Sequence, residues 1–179
     1  MTKLTVLEIP HPVLYEKAEP VEKVTPEIQT LLSDMLETMY KTNGVGLAGN
    51  QVGVLKRVVV VDCAPKGETP DPIKMVNPKI IERSDELVMH NEGCLSIPRE
   101  YADVERHARV TVEYLDENGV LKQRSADGLL AIAFQHELDH LDGILFIDHL
   151  SPLKRKMLVK HLEKRRRKQA REATTLTAE

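Results

Sequence analysis

An α+β fold, with mixed but mainly antiparallel strands packed around a central apolar helix and with a further helix at the C-terminus, is predicted by three features of the 179-residue chain. Val58 to Val61 is a run of four β-branched residues, the composition of a buried strand. Val110, Val112 and Tyr114 alternate with Thr111, Glu113 and Leu115 ahead of Asn118-Gly119, a hairpin signal leading into Val120-Leu121. Leu129-Leu130-Ala131-Ile132-Ala133-Phe134 opens a helix that is apolar nearly all round and therefore belongs in the interior.

The length favours one domain over residues 1–179, and with 41% hydrophobic but only 3% aromatic residues and no Trp, its core must be aliphatic. The longest unbroken apolar run, Leu129 to Phe134, is far too short for a membrane span. Two cysteines, Cys63 and Cys94, make no disulfide framework, and Met1 to Glu8 lacks the apolar core of a signal peptide. A reducing, cytoplasmic setting is the expectation.

From the N-terminus, Pro10, Pro12 and Pro20 forbid regular helix over residues 9 to 20 and predict an extended arm laid on the body. Thr25 as N-cap and Pro26 at the first helical position start a helix whose Ile28, Leu31, Leu32, Met35 and Met39 face the core. It breaks at Gly44-Val45-Gly46-Leu47-Ala48-Gly49-Asn50-Gln51, where glycines permit tight turns and close approach of backbone to a ligand. Without a Lys-Ser/Thr ending this is no phosphate loop. The valine strand closes at Cys63, read as a small buried hydrophobe. A proline-rich loop follows, and Met75-Val76, Ile80-Ile81 and Leu87-Val88 predict three short strands. Asp127 caps the apolar helix and Gly143 ends it. Ser151-Pro152 begins the last helix, with Leu153, Met157, Leu158 and Leu162 on one side. Between residues 152 and 171 ten Lys and Arg stand against the single acid Glu163, so a basic helix and tail from about 152 follow an acidic body.

The apolar helix carries Gln135-His136-Glu137-Leu138-Asp139-His140 near its end. Residues four apart share a helix face, so His136 and His140 can address one ion, with Glu137 beside it as base toward water on that ion. Ionisable groups on a buried helix need partners, and a metal supplies them. A third protein ligand is still required. The position six residues after His140, used by one class of metallopeptidase, is Phe146 and cannot ligate. Glu163 downstream is the candidate of a generic metallopeptidase, although among Lys160, Lys164, Arg165 and Arg166 it also reads as a surface ion-pair partner. Cys94, flanked by Gly93, is the other candidate; a thiolate with two imidazoles suits zinc, ferrous iron, cobalt or nickel, and a plain buried thiol is its structural alternative. A metal-stabilised binding module without catalysis satisfies the same residues.

Three motifs in order, Gly44 to Gln51, Glu92-Gly93-Cys94-Leu95-Ser96 and Gln135 to His140, resemble the signature set of the peptide deformylases. The likeness runs along the whole chain, including Ile9-Pro10, Asp127-Gly128-Leu129-Leu130-Ala131 and Asp142-Gly143-Ile144-Leu145-Phe146. It implies removal of the N-formyl group from the initiator methionine of new polypeptides, with release of formate. It implies that Cys94, His136 and His140 hold one divalent metal, ferrous iron in cells, with zinc, nickel or cobalt accepted in a purified sample. Glu137 is implied as general base, and the Gln51 amide and Leu95 N–H as donors to the oxyanion. Gly44 and Gly46 are expected to let substrate backbone pair with the loop, and Val45, Leu129, Ile132 and Ala133 to line the methionine pocket. Gly49 replaces the family's usual second alanine, a change expected to loosen the loop. Tyr101 stands near a substrate-contacting arginine of some members. The implied partners are N-formylmethionyl nascent peptides, the basic C-terminal helix is expected to contact ribosomal RNA, and no membrane is involved.

Overall fold

A computed structural model describes residues 4 to 176, with side chains to residue 172. The arm crosses the body as expected, through a cis Ile9-Pro10 peptide. Its prolines do not exclude one turn of 3-10 helix at Pro12–Tyr15, because Pro12 starts it, where no amide donor is needed. The first helix, α1 (Pro26–Lys41), has Pro26 in the predicted place, but the Thr25 hydroxyl engages Glu27 and caps no amide. Leu32, Met35 and Met39 are fully buried against Val58 and Val60, as their spacing requires.

Five strands form one sheet in the order β1 (Gly46–Ala48), β2 (Val58–Val61), β3 (Ile73–Arg83), β6 (Arg109–Leu115), β7 (Leu121–Asp127). A second sheet is the hairpin of β4 (Leu87–Cys94) and β5 (Ile97–His107). Every strand pair is antiparallel, and the one parallel bridge among the described residues joins Glu19 to Lys56. The two short strands expected at 75–76 and 80–81 are one long strand, β3, kinked where its register with β6 shifts after Val76. Asn77 sits there at φ 53° and its side-chain amide pairs with both backbone groups of Val21 at 2.8 Å, so the kink also tethers the arm. The β6 and β7 hairpin turns at Gly119, φ 76°, as predicted.

The central helix, α2 (Gly128–Leu141), is buried from Ala131 to Leu138. Asp127 makes no capping hydrogen bond, correcting that expectation. Gly143 does end the helix: at φ 72° it donates to the His140 carbonyl at 3.0 Å, while Ile144 donates to Asp139 at 2.9 Å. A side chain at 143 would also stand 2.5 Å from the Tyr15 carbonyl oxygen, so the arm crosses where only glycine fits. The last helix, α3 (Pro152–Leu176), buries Leu158 and Leu162 against Ile9, Leu14 and Ile97. Leu153 and Met157, predicted on the same side, are 68% and 63% exposed, because their line runs about 100° round the helix from the seated one. Two of the basic residues turn inward. Arg165 pairs with Glu100, and Arg166 holds the Ile9 carbonyl and the Glu8 carboxylate.

Candidate metal and active site

One turn apart on α2, His136 and His140 bring their Nε2 atoms to 3.2 Å of each other. Cys94, the last residue of β4, lowers its Sγ to 3.3 Å from His140 Nε2, and the three donors lie within 4.8 Å of one another. Ligands arranged tetrahedrally about one ion at ordinary metal–sulfur and metal–nitrogen lengths stand about 3.3 to 3.6 Å apart. The donor set therefore fits a metal ion. Glu163 does not join it: its side chain is 57% exposed on α3 and meets Arg167 at 4.0 Å.

Behind the donors lies a relay of charges. His136 Nδ1 donates to Glu92 at 2.8 Å, which fixes the ring with Nε2 turned toward the other two donors. Glu92 is clamped in turn by Arg106 through Nε at 2.7 Å and Nη2 at 3.0 Å. Arg106 Nη1 reaches Asp139 at 2.6 Å, and Asp139 accepts from His149 at 2.7 Å. Burial raises the Glu92 pKa, but bonds from His136 and Arg106 overcome it and hold the carboxyl down to about 2. His140 Nδ1 is buried without a hydrogen-bond partner among the described residues. Burial holds His140 well below its usual pKa, in the neutral form that ligation requires.

Glu137 points into the cleft beside the donors, with Oε2 unpartnered among the described residues, and burial pushes its carboxyl up to about 7. Strand β1 lies directly over it, so that a Cβ on Gly46 would stand 2.8 Å from Glu137 Cγ. Gln51 accepts from the Ala48 amide at 2.9 Å through Oε1, which turns its Nε2 toward Cys94 Sγ at 3.5 Å and Ser96 Oγ at 3.2 Å. Anchoring the loop and aiming the amide are one arrangement. Leu95, in the turn between β4 and β5, covers Gly44; a Cβ there would meet Leu95 Cδ1 at 2.8 Å. Gly49 lies where two stretches of backbone cross closely. A side chain at 49 would stand 2.6 Å from the Lys56 carbonyl and 2.7 Å from that of Val54, so an alanine here needs that backbone to shift.

Above the donors opens a cleft of about 450 Å³ lined by Gly44, Val45, Gly46, Gln51, Leu95, Leu129, Ile132 and Ala133, with Cys94, His136 and Glu137 at its base. His140, at 1% exposure, lies behind them. Sequence reasoning missed Arg106 and Asp139: a buried Glu92 needs a cation, but nothing local marks which one. It also missed Arg99, which borders the cleft in a left-handed conformation, φ 63°, a feature with no signal in the residue type.

A purely structural metal cluster is closed by four protein ligands. Here three donors, a free carboxylate and an open cleft share one face of α2, the arrangement of a hydrolase with a metal-ion site. Comparison with known proteins narrows that class. A family model described as polypeptide deformylase matches residues 3–156. A peptide deformylase of Phenylobacterium zucineum is 50% identical over 159 residues, covering 89% of this chain and 94% of its own. One from Rhizobium meliloti is 48% identical over 92% of this chain and 94% of its own. The crystal structure of the Ehrlichia chaffeensis peptide deformylase superposes with a TM-score of 0.90 at 38% identity, over 94% of this chain and 99% of that one. The chain belongs to the peptide deformylase family.

Proposed function

We propose that this chain hydrolyses the formyl amide of N-formylmethionyl peptides, releasing formate and a free N-terminal methionine. The observation that carries the reading is the unpartnered Glu137 carboxylate beside three donors at the base of an open cleft. Cys94, His136 and His140 are the residues that hold the ion, which when bound acts as a Lewis acid and brings the pKa of water to about 7. Glu137 takes the proton of the attacking water and returns it to the amine nitrogen as the C–N bond breaks. The oxygen that gains charge at the tetrahedral carbon accepts from Gln51 Nε2 and the Leu95 N–H, donors set before the reaction begins. The backbone of Gly44 and Gly46 pairs with that of the peptide along β1, and Val45, Leu129, Ile132 and Ala133 receive the methionine side chain.

Ferrous iron is our assignment in cells. Zinc, nickel and cobalt accept the same three donors, so a purified sample can carry any of them. We place the enzyme in the cytoplasm, where its two free cysteines stay reduced and nascent chains appear, with α3 against ribosomal RNA. The test is one anaerobically purified sample, assayed for metal content, for formate release from formyl-Met peptides and for cleavage of internal peptide bonds. One ion per chain with formate release is expected. Internal cleavage without formate release would return the generic metallopeptidase.

A further inference from the structure

The cleft does not end at the donors. Its outer wall is Tyr101, which faces Gly93 across the β4 and β5 ladder; its ring crosses that glycine so closely that an added Cβ would stand 2.5 Å from Cε1. Asn91, Glu100 and Tyr101 border both the cleft and a second groove, of about 820 Å³, between β5 and α3. The second groove has an apolar floor of Ala102, Leu150 and Leu158, and Met157 stands over it in solvent. Its rim carries Lys154, Lys160 and Lys164, which form no ion pair among the described residues. Both carboxylates at the groove are engaged, Glu100 by Arg165 and His161, and Asp103 by the Asn91 amide at 2.8 Å. Asp103 keeps its charge beside that neutral amide, but three lysines outweigh it and the groove is net positive.

We propose that this groove takes the downstream part of the same polypeptide substrate, and that it prefers a segment joining an apolar side chain to an acidic one. The inference rests on the deformylase reading of the cleft. A formylated end must meet the donors, so the rest of the chain has to leave the cleft, and each further residue of an extended chain adds about 3.3 to 3.6 Å of reach. Tyr101 is the threshold over which cleft and groove are continuous. Past it, the floor offers a seat for one apolar side chain and the lysines offer partners for carboxylates. Exposed contacts of this kind are weak and screened by salt, so selection among long substrates, by about five-fold in kcat/KM, is their scale.

The test compares formyl-Met peptides of three residues and of eight, the longer ones carrying Leu-Asp or Lys-Lys at positions five and six, on wild type and on Met157→Glu and Lys160→Glu. On wild type, kcat/KM for the Leu-Asp octapeptide should exceed that of the tripeptide and of the Lys-Lys octapeptide about five-fold. Both variants should lose that advantage while keeping wild-type turnover of the tripeptide, which also certifies their fold. Equal rates for all peptides on wild type, or an advantage that survives both substitutions, would overturn the groove. A change of sedimenting mass in Met157→Glu would overturn it too, by making this face a contact between two copies of the chain. No tripeptide turnover by wild type would sink the deformylase reading, and the groove with it.

Discussion

Glu137 and Cys94 divide the site between proton transfer and ligation, and single substitutions separate the two. Glu137→Gln keeps the shape of the side chain but cannot take a proton. Metal content should stay at one ion per chain while turnover falls by about 10² or more; near-normal turnover would remove Glu137 as base. Cys94→Ala should lose tight metal binding, whereas Glu163→Gln, altering an exposed partner of Arg167, should retain it. Metal stoichiometry of both variants decides between the ligand sets. Arg106 acts at one remove. Its guanidinium is 5% exposed between Glu92 and Asp139, so Arg106→Met leaves the buried Glu92 and the half-buried Asp139 without their cation. A loss of about 3 to 5 kcal/mol in folding stability is expected, with metal affinity reduced about 10- to 100-fold because Glu92 no longer orients His136. Chemical denaturation and metal competition measure the two effects separately. Unchanged affinity in a destabilised variant would confine Arg106 to holding the fold.

Among the elements, the end of α2 and the whole of α3 carry the sharpest expectations. Gly143→Ala places a side chain in a left-handed conformation and against the Tyr15 carbonyl, so it should cost about 2 kcal/mol or more and loosen the arm. Denaturant midpoints of the two proteins test this, and equal midpoints would mean that the arm moves aside freely. For α3, the basic run from Lys164 to Lys168 is less free than its composition suggests, since Arg165 and Arg166 are bonded to Glu100, Glu8 and the Ile9 carbonyl. Deleting the helix would confound lost charge with a lost brace. Reversing Lys164, Arg167 and Lys168 to Glu touches only outward residues, and should weaken ribosome co-sedimentation steeply at low salt while sparing a short formyl-Met peptide. Equal co-sedimentation would leave those charges a solubility device.

For the molecule as a whole, what could be read in advance was whatever has a period or a paired chemistry. The valine strand, the hairpin at Gly119, the buried stripe of α1 and the histidine pair of α2 each repeat at a spacing that local geometry enforces. Strand β5 escaped because Pro98-Arg99-Glu100-Tyr101-Ala102-Asp103 has no alternation and no β-branched residue; its partner β4 and the seat of Arg106 hold it in place. The stripe on α3 was half right, since one line of a helix seats against a body and its neighbour need not. Cys94 was legible as a ligand type but not as a position. Only the turn from β4 to β5 brings it to His140, 46 residues on. The relay through Arg106 joins β4, β5, α2 and the turn of 3-10 helix at Phe146–His149, and has no local trace at all.

Arg166 bonds to Glu8 and to the Ile9 carbonyl. Residues of that same arm donate to the Gln51 carbonyl at 2.7 Å and to the Ser96 carbonyl at 3.0 Å. The arm beside the active loop is therefore fastened by α3, a helix made well after it. Releasing that clasp by Arg166→Ala should free the arm, and protease should then cleave it where the wild-type arm resists.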